Sequence, residues 1–195
     1  MTNERGKLTK KRKVAWGITG SGDKLQETVA VMSEMKRQYE DVVDVEVYLS
    51  KAADQVVKYY RLGDELKNNF RRVTDEVDSN SPFLAGWLET QKYEFLLVAP
   101  ATSNTVAKIS NGIADTLLSN ASIMALKASV PTYVMPSDYT EGLTRTKLPD
   151  GQDITLKVRK EDAANVRKLE KMENVFVIEK PEDIRRAFRK HFENG

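Results

Sequence analysis

Phe95-Leu-Leu-Val-Ala99 is an unbroken apolar run, and Pro100 follows it at once. A short run without alternation is the signature of a strand buried on both faces, which restricts the chain to folds with a covered sheet. Pro100 has no N–H and is expected to end the ladder. Thr102, Ser103, Asn104 and Thr105 come next, small residues with hydroxyl or amide tips and no charge. Val106, Ile109 and Ile113 then recur at helical spacing, so the polar cluster is predicted at a strand-to-helix corner. Unpaired backbone N–H groups point out of such a corner. A neutral crevice rich in donors and acceptors suits a polar, partly aromatic ligand better than a metal ion.

The same strand-then-helix grammar recurs along the chain. Lys13 to Ile18 reads as a first strand, followed by Gly17-Ile-Thr-Gly-Ser-Gly22 and a helix from about Asp23 to Tyr39 with Leu25, Val29, Met32 and Met35 as its stripe. A glycine turn between strand and helix lets backbone N–H groups face an anion. Its spacing matches neither the dinucleotide fingerprint nor the P-loop, so a plain tight connection stays open as the alternative. Val43 to Leu49 is a second strand. Ser50 at its end has two roles open to it, a phosphate contact and the N-cap of the next helix, and one serine can do both.

Residues 51–91 are predicted mostly helical, with Gly63 as a break and Ser81-Pro82 opening a helix that packs Phe83, Leu84, Trp87 and Leu88 inward. Trp87 reads as core or subunit contact. Thr116 to Lys127 is a further helix and Pro131 to Met135 a buried strand closed by Pro136. Residues 137–160 read as an irregular arm with a Pro149-Asp-Gly151 turn, and Ile154, Leu156 and Val158 alternate as a small strand or extended arm does. A helix over 161–172, a strand from Val175 to Ile178 and a basic helix from Glu182 to Phe192 complete the pattern. Residues 1–12, with Lys7, Lys10, Lys11 and Arg12, are expected to be a solvated, poorly ordered leader rather than a nucleic-acid arm. Residues 13–195 are expected to form one domain.

Strands alternating with helices imply an α/β fold with a parallel sheet and right-handed crossovers. Ligands of such sheets bind beyond the carboxyl ends of strands, at the switch point. The glycine turn, Ser50, the 102–105 cluster and Met135 all lie just past strand ends, and together they carry more weight than any one of them. Composition narrows the chemistry. There is no cysteine, so thiolate catalysis, disulfides and cysteine-ligated iron–sulfur clusters are excluded, and any electrons must be carried by an organic cofactor. A net charge of +2 does not point to nucleic acid. No run approaches the roughly 18 apolar residues of a membrane span, and the N-terminus lacks a signal-peptide core, so the expected location is the cytoplasm.

Pro100-Ala-Thr-Ser-Asn-Thr105, with Val106 to Asp115 downstream and the glycine–serine turn upstream, resembles the superfamily of homo-oligomeric flavin-containing cysteine decarboxylases, whose motif reads Pro-Ala-Ser-Ala-Asn-Thr. The resemblance covers roughly residues 13–136. It implies a flavodoxin-like (Rossmann-type) three-layer sandwich and FMN as cofactor. Thr19, Gly20, Ser21 and Gly22 would then hold the FMN phosphate with Ser50. Thr102, Ser103, Asn104 and Thr105 would meet phosphate, ribityl and ring edge, and Met135 would lie near the isoalloxazine. It further implies a homo-oligomer built from trimers.

Two departures bear on activity. The sole histidine, His191, is in the C-terminal helix, where a surface or helix-end role is expected. After Pro136 the chain reads Ser137-Asp-Tyr-Thr-Glu, without the decarboxylases' substrate clamp. The whole chain is similar to archaeal flavoproteins of the dihydromethanopterin reductase type. That implies an FMN-dependent oxidoreductase taking electrons from a ferredoxin or NAD(P)H to a pterin-like acceptor. Cysteine decarboxylation or flavin prenyl transfer on the same fold is the alternative.

Overall fold

The computed structural model describes residues 11–193. In chain order it contains β1 (Arg12–Ile18), α1 (Leu25–Gln38), β2 (Val43–Leu49), α2 (Lys51–Tyr59), α3 (Gly63–Asn69), β3 (Arg72–Asp75), α4 (Leu84–Glu89) and β4 (Phe95–Ala101). Then follow α5 (Ser103–Ser110), α6 (Leu117–Lys127), β5 (Thr132–Pro136), β6 (Gly142–Lys147), β7 (Asp153–Val158), α7 (Lys160–Leu169), β8 (Val175–Val177), a single 3₁₀ turn (Pro181–Asp183) and α8 (Ile184–Phe192).

Six strands form one sheet in the order β3-β2-β1-β4-β5-β8, and every neighbouring pair is parallel. Counting only these strands, the order is 3-2-1-4-5-6, that of doubly wound Rossmann sheets. Successive side chains of a strand point to opposite faces, and both faces are covered. Val14, Trp16 and Ile18 of β1 and Phe95, Leu97 and Ala99 of β4 pack with α1, α2, α3 and α8. Ala15 of β1 and Leu96, Val98 and Ala101 of β4 pack with α4, α5, α6 and α7. The result is a flavodoxin-like, three-layer α/β sandwich. Because both faces are buried, central β4 reads as an apolar run rather than an alternating one.

Several expectations need correction. Pro100 does not end β4: the strand runs to Ala101, and pairing with β5 shifts register between Val98 and Ala101. Residues 51–91 are not all helical, because Arg72–Asp75 forms β3 at the sheet edge beside β2. An edge strand of four half-exposed residues carries no apolar run to betray it. Ile113 does not continue α5. That helix stops at Ser110, Gly112 takes a left-handed φ of 72°, and Ile113 is exposed. The arm is not irregular: β6 and β7 pair antiparallel, from Gly142 with Val158 to Lys147 with Asp153, around the Pro149-Asp-Gly151 turn. The leader's residues 1–10 lie outside the described residues. Arg12 already belongs to β1, and the Lys11 ammonium donates to the Glu40 carbonyl at 2.5 Å.

His191 sits in the last turn of α8, but its ring turns inward. It lies 4.9 Å from the Phe95 ring, and its Nε2 is 3.1 Å from the Tyr133 hydroxyl. Burial, with Lys190 nearby, pulls its pKa down. No helix among the described residues is long and apolar enough to cross a membrane.

Candidate functional site

The switch point lies between β1 and β4, which are neighbours in the sheet while their following helices leave to opposite faces. Thr19 ties the two strand ends together. Its hydroxyl donates to the Pro100 carbonyl at 2.8 Å and accepts from the Thr102 N–H at 2.8 Å, and its own N–H also reaches the Pro100 carbonyl. Thr19 is buried and both functions of its hydroxyl are in use, so it positions the crevice rather than meeting a ligand.

Thr102 is the N-cap of α5. Its backbone is extended, its side chain accepts from the Thr105 N–H at 3.3 Å, and the two hydroxyls lie 3.1 Å apart. Threonine suits this post because its oxygen fills one of the unmet donors of the first turn. The N–H groups of Ser103 and Asn104 have no partner among the described residues, nor does the Asn104 side chain. That corner therefore presents free donors and the positive end of a helix. The Ser103 hydroxyl donates to the Asp138 carboxylate, and the Ser137 hydroxyl to that of Ser21 at 2.6 Å.

Both turn glycines are closely approached, Gly20 by an Ala52 Cβ that cannot give way and Gly22 by the movable end of the Tyr60 side chain. A Cβ on Gly20 would lie 2.5 Å from the Ala52 Cβ at the start of α2, and one on Gly22 would lie 2.3 Å from the Tyr60 hydroxyl. Neither has a left-handed φ. The turn is thus both a close-packed connection and the floor of a crevice.

Roofing the crevice is the β6–β7 hairpin, with Thr144, Thr146, Ile154 and Leu156 turned to it, and Tyr60 donates a long 3.4 Å hydrogen bond to the Lys147 carbonyl. The open cleft measures about 420 Å³ and brings together Gly20, Ser21, Gly22, Thr102, Ser103 and Asn104. Thr105, behind the cap, is buried. Ser50 is not among the residues lining the cavity; it caps α2, accepting from the Ala53 N–H at 3.0 Å. Met135 is fully buried in the core on the α1 side and does not line it either.

In their place the structure supplies Asp23, Tyr60, Ser137 and Asp138. Ser137 and Asp138 had a signal, since they follow the end of β5 as the 102–105 cluster follows β4. Tyr60 had none, because a tyrosine at a helix end is ordinary. Burial pushes the Asp23 carboxyl above the usual range, and Glu27 and Asp138 add to the rise against Lys24 and Thr146.

Comparison with known proteins agrees with this geometry. The sequence model of the flavoprotein family matches residues 1–188. An uncharacterized protein of Methanocaldococcus jannaschii is 49% identical over 181 residues, covering 93% of this chain and 96% of that one. A dihydromethanopterin reductase (acceptor) of the same organism is 32% identical over 235 residues, covering 90% of this chain and 95% of that one. Among solved structures, DmrB of Burkholderia xenovorans in complex with FMN, described as a cubic protein cage for redox transfer, has a TM-score of 0.78 at 29% identity. It covers 95% of this chain and 97% of that one.

Proposed function

The chain belongs to the flavoprotein family, and from that premise we propose that it is an FMN-dependent oxidoreductase that takes electrons from a ferredoxin or NAD(P)H and delivers them to a pterin-like acceptor. The observation that carries this reading is the corner after β4. The free N–H groups of Ser103 and Asn104 and the unpartnered Asn104 amide face a cavity at the switch point of the sheet. That donor set fits FMN, whose phosphate needs N–H and hydroxyl donors and whose ring needs an amide or hydroxyl at its polar edge.

Ser103 and Asn104 would bind through backbone N–H groups at the start of α5, and Ser21 and Ser137 through hydroxyls that now bond each other. Asn104 would supply the side-chain amide. Thr19, Thr102 and Thr105 hold these groups in place through hydrogen bonds of their own. Bound FMN supplies the hydride or electron chemistry, so the chain needs binding and orientation rather than an acid–base dyad of its own. The hairpin's Ile154 and Leu156 supply an apolar wall to the crevice. We also place the protein in the cytoplasm, as a homo-oligomer built from trimers. The cage described for the Burkholderia relative supports assembly.

The test is anaerobic stopped-flow mixing of the FMN-loaded protein with reduced ferredoxin, NADH or NADPH. The flavin absorption band should bleach with one of them and return on adding a dihydropterin. Absence of bleaching by all three donors would sink the proposal.

A further inference from the structure

A second cavity, of about 560 Å³, adjoins the flavin crevice and shares Tyr60 and Leu148 with it. It lies between the end of α2, with Tyr59, Tyr60 and Arg61, and the turn of the hairpin, with Lys147 and Asp150. Its chemistry differs from the crevice's. Arg61 and Lys147 have no carboxylate within ion-pair distance among the described residues. The one carboxylate in the wall, Asp150, is held by the Gln152 N–H at 2.9 Å inside the turn. Tyr59 is 55% exposed, and its ring packs edge-on against Tyr60 at 5.7 Å. Two uncommitted cations beside a bare aromatic face describe a seat for a ligand with an anionic group and a flat ring.

The backbone fixes these groups. Arg61 follows α2 with a left-handed φ of 56°, and Arg61 and Leu62 donate back to Lys58 and Val57 at 3.1 and 3.0 Å. This is the αL helix ending that glycine most often occupies, here carrying a guanidinium. The Tyr60 hydroxyl bond to the Lys147 carbonyl ties that helix end to the hairpin, and Tyr60 is the wall between the two cavities.

We propose that this groove seats the anionic tail of the second redox ligand, a heteroaromatic compound bearing phosphate or carboxylate, whose reacting ring enters the crevice past Tyr60. The inference rests on the reading of the crevice as the FMN site. It assigns Arg61 and Lys147 to the tail and Tyr59 to its flat portion.

The test uses FMN-loaded full-length protein and two variants, Arg61→Gly, which suits the left-handed torsion, and Lys147→Gln, which keeps the carbonyl that Tyr60 bonds. The rate of flavin reduction against NADH and NADPH concentration, and of reoxidation of dithionite-reduced protein by dihydrofolate, gives a half-saturation value for each probe. Each substitution should raise that value about tenfold for at least one probe, as loss of a charge-assisted contact does, with FMN content unchanged. A rise for the pyridine nucleotides makes the groove the donor's seat, and a rise for dihydrofolate makes it the acceptor's. Unchanged values for all three probes in FMN-loaded variants overturn the inference, as does a wild-type protein indifferent to all three. A colourless protein that takes up no FMN overturns the flavin reading itself and the groove's role with it.

Discussion

The two ends of the parallel sheet treat polar groups in opposite ways. At the amino end, Glu46 of β2 is almost wholly buried, yet it accepts from Lys13 at 2.6 Å, Tyr93 at 2.6 Å, Tyr48 at 2.9 Å and Arg72 at 3.4 Å. The Tyr48 and Tyr93 hydroxyls also lie 2.6 Å apart. Burial pushes the Glu46 carboxyl up, but the hydrogen bonds from Lys13, Tyr93 and Tyr48 outweigh it and hold it below the usual range. At the carboxyl end, Ser21 and Ser137 bond only each other in this cluster, and the Asn104 amide bonds nothing among the described residues. A buried network whose members are all satisfied adds rigidity, whereas donors left free in a cavity cost stability unless water or a ligand meets them. One end is therefore built to hold the fold and the other to bind.

The contrast can be broken by mutation. Glu46→Ala should produce the largest effect, a loss of about 3 kcal/mol in denaturant unfolding, because Lys13 and two buried tyrosines lose their shared acceptor. FMN affinity of the folded fraction should not change; a matching fall would erase the division between the ends. The sign with pH follows from the direction of the shift. A carboxyl held below its unfolded value contributes stability above about pH 4.3, and that contribution is lost as pH falls through the folded value. The acid limb of the unfolding curve should therefore flatten in Glu46→Ala.

Gly20→Ala comes next, at about 2 kcal/mol, because the new Cβ meets the Ala52 Cβ at 2.5 Å and overpacks the junction of β1 with α2. A melting temperature equal to wild type would show that the turn has slack. Asn104→Ala and Ser21→Ala should each weaken FMN about tenfold in a fluorescence titration and leave the unfolding midpoint of the apoprotein in place. Unchanged titrations in both would remove the crevice as the flavin site.

The smallest effect concerns Asp23, whose carboxyl is pushed up by burial and by Glu27 and Asp138. It gains charge as pH rises through that raised value, so FMN affinity should decline across the same range, and stability from this group should decline with it. Asp23→Asn should abolish the decline by a few fold, visible in titrations at low salt.

Much of this architecture was legible in apolar runs. Phe95–Ala99 announces a strand because a sheet covered on both faces selects apolar residues at successive positions, and Val43–Leu49 does so by the alternation of Val43, Val45 and Val47 with Asp44 and Glu46. β3 and β6 were hidden for the converse reason. Arg72–Asp75 and Gly142–Lys147 pair through backbone and carry polar or charged side chains that stay partly in water. The crevice was legible as a place, because small polar residues after strand ends mark the switch point. It was less legible as a set of contacts. Ser50 turned out to serve its own helix, Met135 the core, and Thr19 the strand opposite. Tyr60 and the hairpin reach the crevice from elements whose local pattern gives no sign of it.

The amino-acid order by itself determined the alternation of buried strands with amphipathic helices and, to within a residue or two, where β1, β4 and β5 end beside the crevice. Those follow from hydrophobic period and from short-range backbone rules, which act within a few residues. Tertiary structure decided which hydroxyls are spent and which are free. Thr19 is paired through Pro100 and Thr102, and Ser21 through Ser137. A hydrogen bond has a partner only when folding brings two distant groups within about 3 Å, and no local pattern encodes that meeting.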